Sequence, residues 1–195
     1  VFIWPRVTTK PYKGFPIGRR FRFTNEDTEI IRHMVPGISS LAPRGRKRGQ
    51  EGDNNVSHKD RTATLTIYGD HPEVQNIRLL QVVSGRFLNR LDLAEHRKVA
   101  VIGEETVKLL FDEEASPLGA IISINNINFQ VIGVYRLPKK NDEDYEEEAK
   151  AVFLPLSTFQ RVFNWGEKIG WFSITSQPHI KVSEVRDEVI RVLAS

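Results

Sequence analysis

The side chains able to do chemistry here fall into a basic run, an acidic run and a scatter of histidines. Arg44, Arg46, Lys47 and Arg48 lie within RGRKRG, and flexible Arg and Lys supply the sequence-independent part of nucleic-acid binding. No aromatic residue is interleaved to stack on bases, and Glu51, Asp53 and Asp60 dilute the positive field. A solvated loop, or a contact with a protein or membrane surface, is therefore the better reading, and no nucleic-acid partner is expected. The acidic run NDEDYEEE, Asn141 to Glu148, holds carboxylates enough for acid–base work. It lies in a stretch of low hydrophobicity and reads as solvated charge. His33, His58, His71, His96 and His179 show no spacing that places two imidazoles on one helix face, so no metal site is expected. The absence of cysteine removes disulfides, thiolate metal sites and cysteine nucleophiles together. No GxSxG elbow occurs, and Ser157 reads as a helix cap rather than a nucleophile. No catalytic set, metal or cofactor emerges.

VAVIGEETVKLLF, from Val99, is the one stretch shaped like the start of a nucleotide site: an apolar strand, a glycine, then helical spacing. A dinucleotide fingerprint needs further glycines so that backbone can approach a pyrophosphate. Here Gly103 is followed by Glu104 and Glu105. These carboxylates favour a helix N-terminus but repel the anion such a site would hold. There is also no GxxxxGK followed by Ser or Thr anywhere in the chain. The unit is expected to be structural.

At 195 residues, 39% hydrophobic and 27% charged, the chain has ordinary globular usage and length enough to bury a sizeable core. The formal net charge of +3 is too small to imply a partner, so charge is read locally. No apolar stretch approaches the roughly 18–20 residues needed to span a bilayer, and no signal peptide is visible. The opening at Val1 reads as a piece cut from something longer.

The first twenty residues, rich in proline and without a period, are expected to be an extended lead-in. Thr24 and Asp27 have capping-box spacing ahead of a helix whose apolar stripe is Ile30, Ile31 and Met34, stopped by Pro36–Gly37. Ile38 to Arg44 reads as a strand, and Pro43 to Arg61 as a mobile loop or hairpin tip. Thr62 to Gly69 alternates like a half-buried strand that pairs with the neighbourhood of Ser39 and Leu41. FLNRLDLAEHRK reads as an exposed connection, Val99 to Gly103 as a strand, and Val107, Leu110 and Phe111 as a helix face. Asn125–Asn126 suits a primed turn within an apolar hairpin. Further on, Ser157 with Gln160 reads as a second capping box before Phe159, Val162 and Phe163. GWFSITS reads as a strand, and Ser183 as the cap of a last helix facing inward through Val185, Val189, Val192 and Leu193. Short strands with isolated helices predict an α+β fold.

An ordered series of motifs is more specific than any of these features. Gly85-Arg86-Phe87, Asp92, Val99 to Gly103, Leu110-Phe111, Pro117-x-Gly119 and Val131-Ile132-Gly133-Val134 follow one another from Asn76 onward. This order resembles the periplasmic core domain of MacB-like ABC transporter permeases, within the MacB, FtsX and LolC type of superfamily. FTNEDTEIIRHMVPGISSLAPR and VFLPLSTFQRVF look like that family's first helix and strand and its return helix. The resemblance runs from about Arg20 to the C-terminus.

The resemblance implies two lobes: a porter-like subdomain from 18–70 and 155–195, and an inserted sabre-like subdomain from 71–154. Residues 1–17 would lead in from a transmembrane helix. It implies a non-catalytic, periplasmic part of an inner-membrane permease that passes ATP-driven movement to export of a drug, peptide or lipoprotein. The implied partners are a second permease copy in a homodimer, a nucleotide-binding ATPase domain or subunit, a membrane-fusion adaptor and an outer-membrane channel. Gly85, Arg86, Phe87, Asp92, Val99, Gly103, Phe111, Gly119, Ile132 and Gly133 would carry the fold motif. The basic loop that holds Arg44, Arg46, Lys47 and Arg48 is not part of the shared pattern and is where partner contact is expected; antibiotic resistance by efflux would be a natural use of the family fold. An envelope sensor that signals to a two-component partner or a cell-wall hydrolase is the alternative.

Overall fold

Val99–Gly103 is apolar at every position, which suits a strand covered on both faces rather than one with a wet side. A computed structural model describes residues 2–3, 22–138 and 144–193. In chain order these form β1 (Phe2–Ile3), β2 (Phe23–Thr24), α1 (Asn25–Met34), β3 (Ile38–Lys47), β4 (Val56–His58), β5 (Arg61–Ala63) and β6 (Ile67–Asp70). There follow α2 (Val74–Arg78), β7 (Gln81–Gly85), α3 (Arg90–Ala94), β8 (Val99–Gly103), α4 (Glu104–Leu110), β9 (Ile121–Ile124) and β10 (Ile127–Arg136). The last are α5 (Tyr145–Ala149), β11 (Val152–Pro155), α6 (Leu156–Val162), β12 (Lys168–Ile169), β13 (Trp171–Ser176) and α7 (Val182–Leu193). No helix among the described residues is long and apolar enough to cross a membrane.

Eleven strands join in one mixed sheet of order β1-β13-β3-β6-β11-β8-β10-β9-β4-β5, with β7 on β10, while β12 and β2 pair separately. Successive side chains of a strand point to opposite faces, and the core divides accordingly. Leu41, Ile67, Ala100, Ile102, Val152 and Leu154 join Ile31, Phe159, Val185 and Val189, from α1, α6 and α7, in one cluster. Their neighbours Ala42, Tyr68, Val99, Val101 and Phe153 join Val74, Phe87, Leu88 and Ala149 in the other. All five residues of β8 are buried, as two-sided cover requires.

A bulge at Ile132, between pairs Val131–Ala100 and Gly133–Val101, resets the alternation of β10. Val131 packs in the first cluster and Tyr135 in the second. Without the extra residue both would share a face. Asn125 and Asn126 take φ of 48° and 67°, so the β9–β10 hairpin closes through the primed turn expected for those two residues.

Local expectations fail where tertiary contacts decide. Thr24 does cap α1, with its amide donating to Asp27 Oδ2 at 2.9 Å. Of the expected stripe, however, Ile31 is buried, whereas Ile30 is 37% and Met34 60% exposed. The buried face is Thr28, Ile31 and Val35, because α1 packs on β3 and α7 with that side. Thr62 to Gly69 is two strands: β5 pairs with β4, and β6 lies between β3 and β11. The β3–β6 register joins Gly45 with Gly69 and Lys47 with Ile67, while Leu41 faces Ile174 of β13.

The expected mobile loop 43–61 is largely built structure. β3 continues to Lys47, Val56 is fully buried, and the Asn55 amide exchanges two 2.9 Å hydrogen bonds with the Leu65 backbone. The supposedly exposed connection after Leu88 contains α3 and the buried Asp92. Pro155, not Ser157, precedes α6, and the Ser157 hydroxyl donates to the Leu93 carbonyl at 2.6 Å instead. Ser183 sits inside the first turn of α7, which begins at Val182. Apart from β1, which pairs with β13, the lead-in lies outside the described residues, as do residues 141–143 of the acidic segment.

Ile31→Ala is expected to cost about 2–5 kcal/mol as a buried large-to-small change. Ile30→Ala, on the wet side of the same turn, is expected to stay within about 0.5 kcal/mol of wild type. Urea denaturation measures both, and equal losses would contradict the face assigned to α1.

Candidate functional site

β3 takes the four cations of the basic run to different places. Arg44 is 1% exposed. Its guanidinium lies 4.9 Å from the Tyr68 ring centre and 5.1 Å from that of Trp171. Two residues on, Arg46 stands 5.3 Å from the same Trp171 ring, as the period of a strand requires. Lys47 is exposed. Arg48 reaches Glu147 with a two-pronged contact of 2.7 and 3.2 Å. The run is thus one buried arginine followed by a surface edge.

Arg44 is the hub of a buried ion cluster. Its Nε and Nη2 donate to the two oxygens of Asp70, at 2.6 and 3.2 Å, across β3 and β6. Nη1 lies 3.8 Å from Glu148 Oε1 on α5. The other oxygen of Glu148 accepts from Arg78 Nε of α2 at 2.9 Å. Above the cluster, Tyr135 stacks on Phe153 at 4.8 Å, and its hydroxyl donates to the Glu148 carbonyl. The neighbouring Glu147 accepts from Thr66 Oγ1 at 2.9 Å as well as from Arg48. Burial drives the Asp70 carboxyl up to about 7, against the pull of Arg44. On the Arg44 side, burial is outweighed by attraction to Asp70 and Glu148, which raises the guanidinium above its ordinary value. Glu147, held by Arg48 and Thr66, is kept below the usual carboxylate range despite its partial burial. The acidic segment, expected to be solvated charge, therefore docks α5 onto β3 and β6.

Two of the motif residues form a second pair. Arg86 grips Asp92 with contacts of 2.7 and 3.1 Å. Asp92 also accepts from the Asn89 amide at 2.9 Å while Asn89 caps α3 in return. Burial would raise the Asp92 carboxyl, but Arg86 and the Asn89 amide hold it below its ordinary value. Gly85 and Gly133 face each other across β7 and β10. A Cβ on Gly85, at φ +69°, would sit 2.2 Å from the Ile132 carbonyl oxygen, and one on Gly133 only 2.0 Å from that of Arg86. Phe87 meets Phe153 edge-on at 6.1 Å, Val99 is buried and Ile132 partly buried. Phe111 stacks on His58 at 4.1 Å. Gly119 closes the turn before β9, its amide donating to the Val131 carbonyl at 2.8 Å.

Gly103 is needed for close packing. A Cβ there would lie 2.1 Å from the Ala149 carbonyl oxygen, so α5 backbone fills the space a phosphate would take. Glu104 at the α4 start pairs with Arg136 at 2.8 Å. Among the described residues, no three His, Cys, Asp or Glu side chains group as metal ligands. The pairings of Asp70, Arg78 and Glu148 carried no signal in the sequence, since the partners lie 26 and 70 positions apart.

Residues 1–192 match the family model of the MacB-like periplasmic core domain. A relative is the macrolide export ATP-binding/permease protein MacB of Bdellovibrio bacteriovorus, 30% identical over 141 residues, covering 72% of this chain and 20% of that protein. The chain thus spans about a fifth of the length of that relative. The fold is similar to the periplasmic region of MacB from Actinobacillus actinomycetemcomitans, with TM-score 0.77 at 19% identity, over 98% of this chain and 81% of that one. It is also similar to the extracellular domain of the ABC-type transporter YknZ from Gram-positive bacteria, with TM-score 0.75 at 18% identity, over 99% and 92% of the two chains.

Arg44→Met leaves Asp70 without its cation in the core, while Glu148 keeps Arg78, and is expected to cost about 3–5 kcal/mol. Arg44→Met combined with Asp70→Asn is expected to recover part of that loss. Chemical denaturation of the two variants decides: a double variant no more stable than the single one would contradict the balance assigned to the pair.

Proposed function

Because the chain belongs to the family of MacB-like periplasmic core domains, we propose that it relays ATP-driven movement to export, as the non-catalytic, extracytoplasmic part of an ABC transporter permease. The permease works as a homodimer, and its nucleotide-binding domain lies in the same chain or a separate subunit on the cytoplasmic side. Export passes through a membrane-fusion adaptor and an outer-membrane channel. The substrate is a drug, peptide or lipoprotein; the macrolide export named for a relative sharing 30% of aligned residues supports the first of these. Residues 18–70 with 155–195 form the porter-like lobe, 71–154 the sabre-like lobe, and 1–17 the lead-in from a transmembrane helix.

One observation carries the mechanical reading. Glu147 and Glu148 of α5 belong to the inserted stretch, and both are held by residues of β3 and its surroundings: Arg44, Arg48 and Thr66. A relay must pass displacement from one part to the other without dissipating it in local slack. Directional charge contacts, of which Arg44–Glu148 is buried, resist such slack better than apolar contacts, which slide. The surface edge Arg46, Lys47 and Arg48 borders this joint and is where an adaptor would sense it. Arg44, being buried, acts on such a contact only through its neighbours.

The test is separation of hydrolysis from export in the full-length permease. Arg48→Ala removes one side of the exposed ion pair of the joint, and Glu147→Gln the charge on its other side. Both variants are expected to keep ATP hydrolysis while export falls about fivefold or more, the scale of a coupling free energy of about 1 kcal/mol. Unchanged export, or equal loss of both activities with an unchanged melting temperature, would refute the relay.

A further inference from the structure

Between α1, α3 and α6 lies a cleft of about 350 Å³ that neither the ion cluster nor the motif residues occupy. Two guanidinium groups, Arg32 of α1 and Arg90 of α3, converge there on one imidazole. Arg32 Nη2 is 3.4 Å and Arg90 Nη1 3.5 Å from His71 Nδ1. At those distances the contacts are weak, and the N–H groups are not saturated. Burial, with help from both arginines, lowers the His71 pKa to about 3, so the ring is neutral and adds no positive charge. The Arg90 guanidinium is itself drawn below its ordinary value by burial and by Arg32.

A second, independent observation concerns Thr28. It lines the same cleft and is 3% exposed, yet its hydroxyl has no hydrogen-bond partner among the described residues. A buried hydroxyl left unpaired costs free energy until a ligand satisfies it. Leu93 and Leu156 add apolar wall to the cleft. Charge then narrows the ligand. Glu29 lies 3.6 Å from Arg32, and Glu73 contacts Arg90, so the four formal charges cancel. A monoanion leaves one unit of excess charge, and a phosphate dianion two.

We propose that this cleft binds a small carboxylate with a short apolar body, its carboxyl group between Arg32 and Arg90 and hydrogen-bonded by the Thr28 hydroxyl. The carboxylate can belong to a free acid or to a protein chain terminus. The site is independent of the relay, since none of its residues belongs to the joint between α5 and β3.

The experiment is titration of the 195-residue chain with butyrate, butyramide and inorganic phosphate at fixed ionic strength, followed by calorimetry and by the His71 ring resonances. Saturable butyrate binding near about 1 mM, the weak end of specific affinity, is expected, with phosphate weaker and butyramide without effect. Thr28→Val is expected to raise the melting temperature of the free protein, because it removes an unsatisfied group, while weakening butyrate about tenfold. Arg90→Gln is expected to weaken butyrate at least as much. An acetylated tripeptide with a free C-terminal carboxylate, run beside its amide, separates the two sources: tighter binding than butyrate points to a chain terminus, weaker binding to a free acid. No saturation by butyrate, tighter binding of phosphate, equal binding of butyramide, or unchanged affinity in Thr28→Val would each overturn the proposal.

Discussion

Arg44 cannot be left alone where it lies. A guanidinium removed from water is sustained only by partners that together replace its hydration, and here they come from three directions. Asp70 reaches it from the adjacent strand, Glu148 from α5, and the rings of Tyr68 and Trp171 close the remaining sides. Each partner constrains the element that bears it. β6 must run beside β3 in the register that sets Gly45 opposite Gly69. Helix α5 must return to the sheet after the β9–β10 hairpin, and β10 must be bulged for Tyr135 to reach the Glu148 carbonyl. Replacing a buried ion pair by apolar residues is often neutral, whereas removing one partner alone is costly.

The glycines work to the same end by steric means. Gly85, Gly103 and Gly133 each leave room for a carbonyl oxygen where a methyl would stand, at 2.2, 2.1 and 2.0 Å. These close approaches bring the Arg86 turn onto β10 and α5 onto β8. Arg86 is then placed to clamp Asp92 and so fix α3. The ordered motif is in this sense a set of backbone contacts, with side-chain chemistry confined to the one ion pair. That is why it reports fold rather than reaction.

On the proposed relay, polar interactions belong at the joints through which displacement passes. The contacts of α5 with β3 and β6 form one such joint, and the two-sided core gives the sheet stiffness around it, because close-packed interiors transmit strain. The cleft beneath α1 and α3 is different in kind. Its arginines are partly exposed and its hydroxyl is unsatisfied, so it is arranged to receive something rather than to hold the domain together.

Short-range features of the chain were legible from residue order. The Thr24 cap, the buried strand at Val99 to Gly103, the Asn125–Asn126 turn and the mixed α+β class each rest on neighbours within a few positions. The motif order that indicates the family was legible too. Nothing in RGRKRG or NDEDYEEE distinguishes a solvated charge from a buried one, and reading the runs as solvated misses the burial of Arg44 and Glu148. The difference arises when β3, β6 and α5 meet across 26 to 104 residues of sequence. Only then does a carboxylate stand where a guanidinium needs it. The same holds for Ile30 against Ile31, adjacent apolar residues between which only the packing of α1 on β3 and α7 chooses. Local propensity determines which elements form; the desolvation of charge and the filling of space determine which face of each element is inside, and those quantities exist only in the assembled structure.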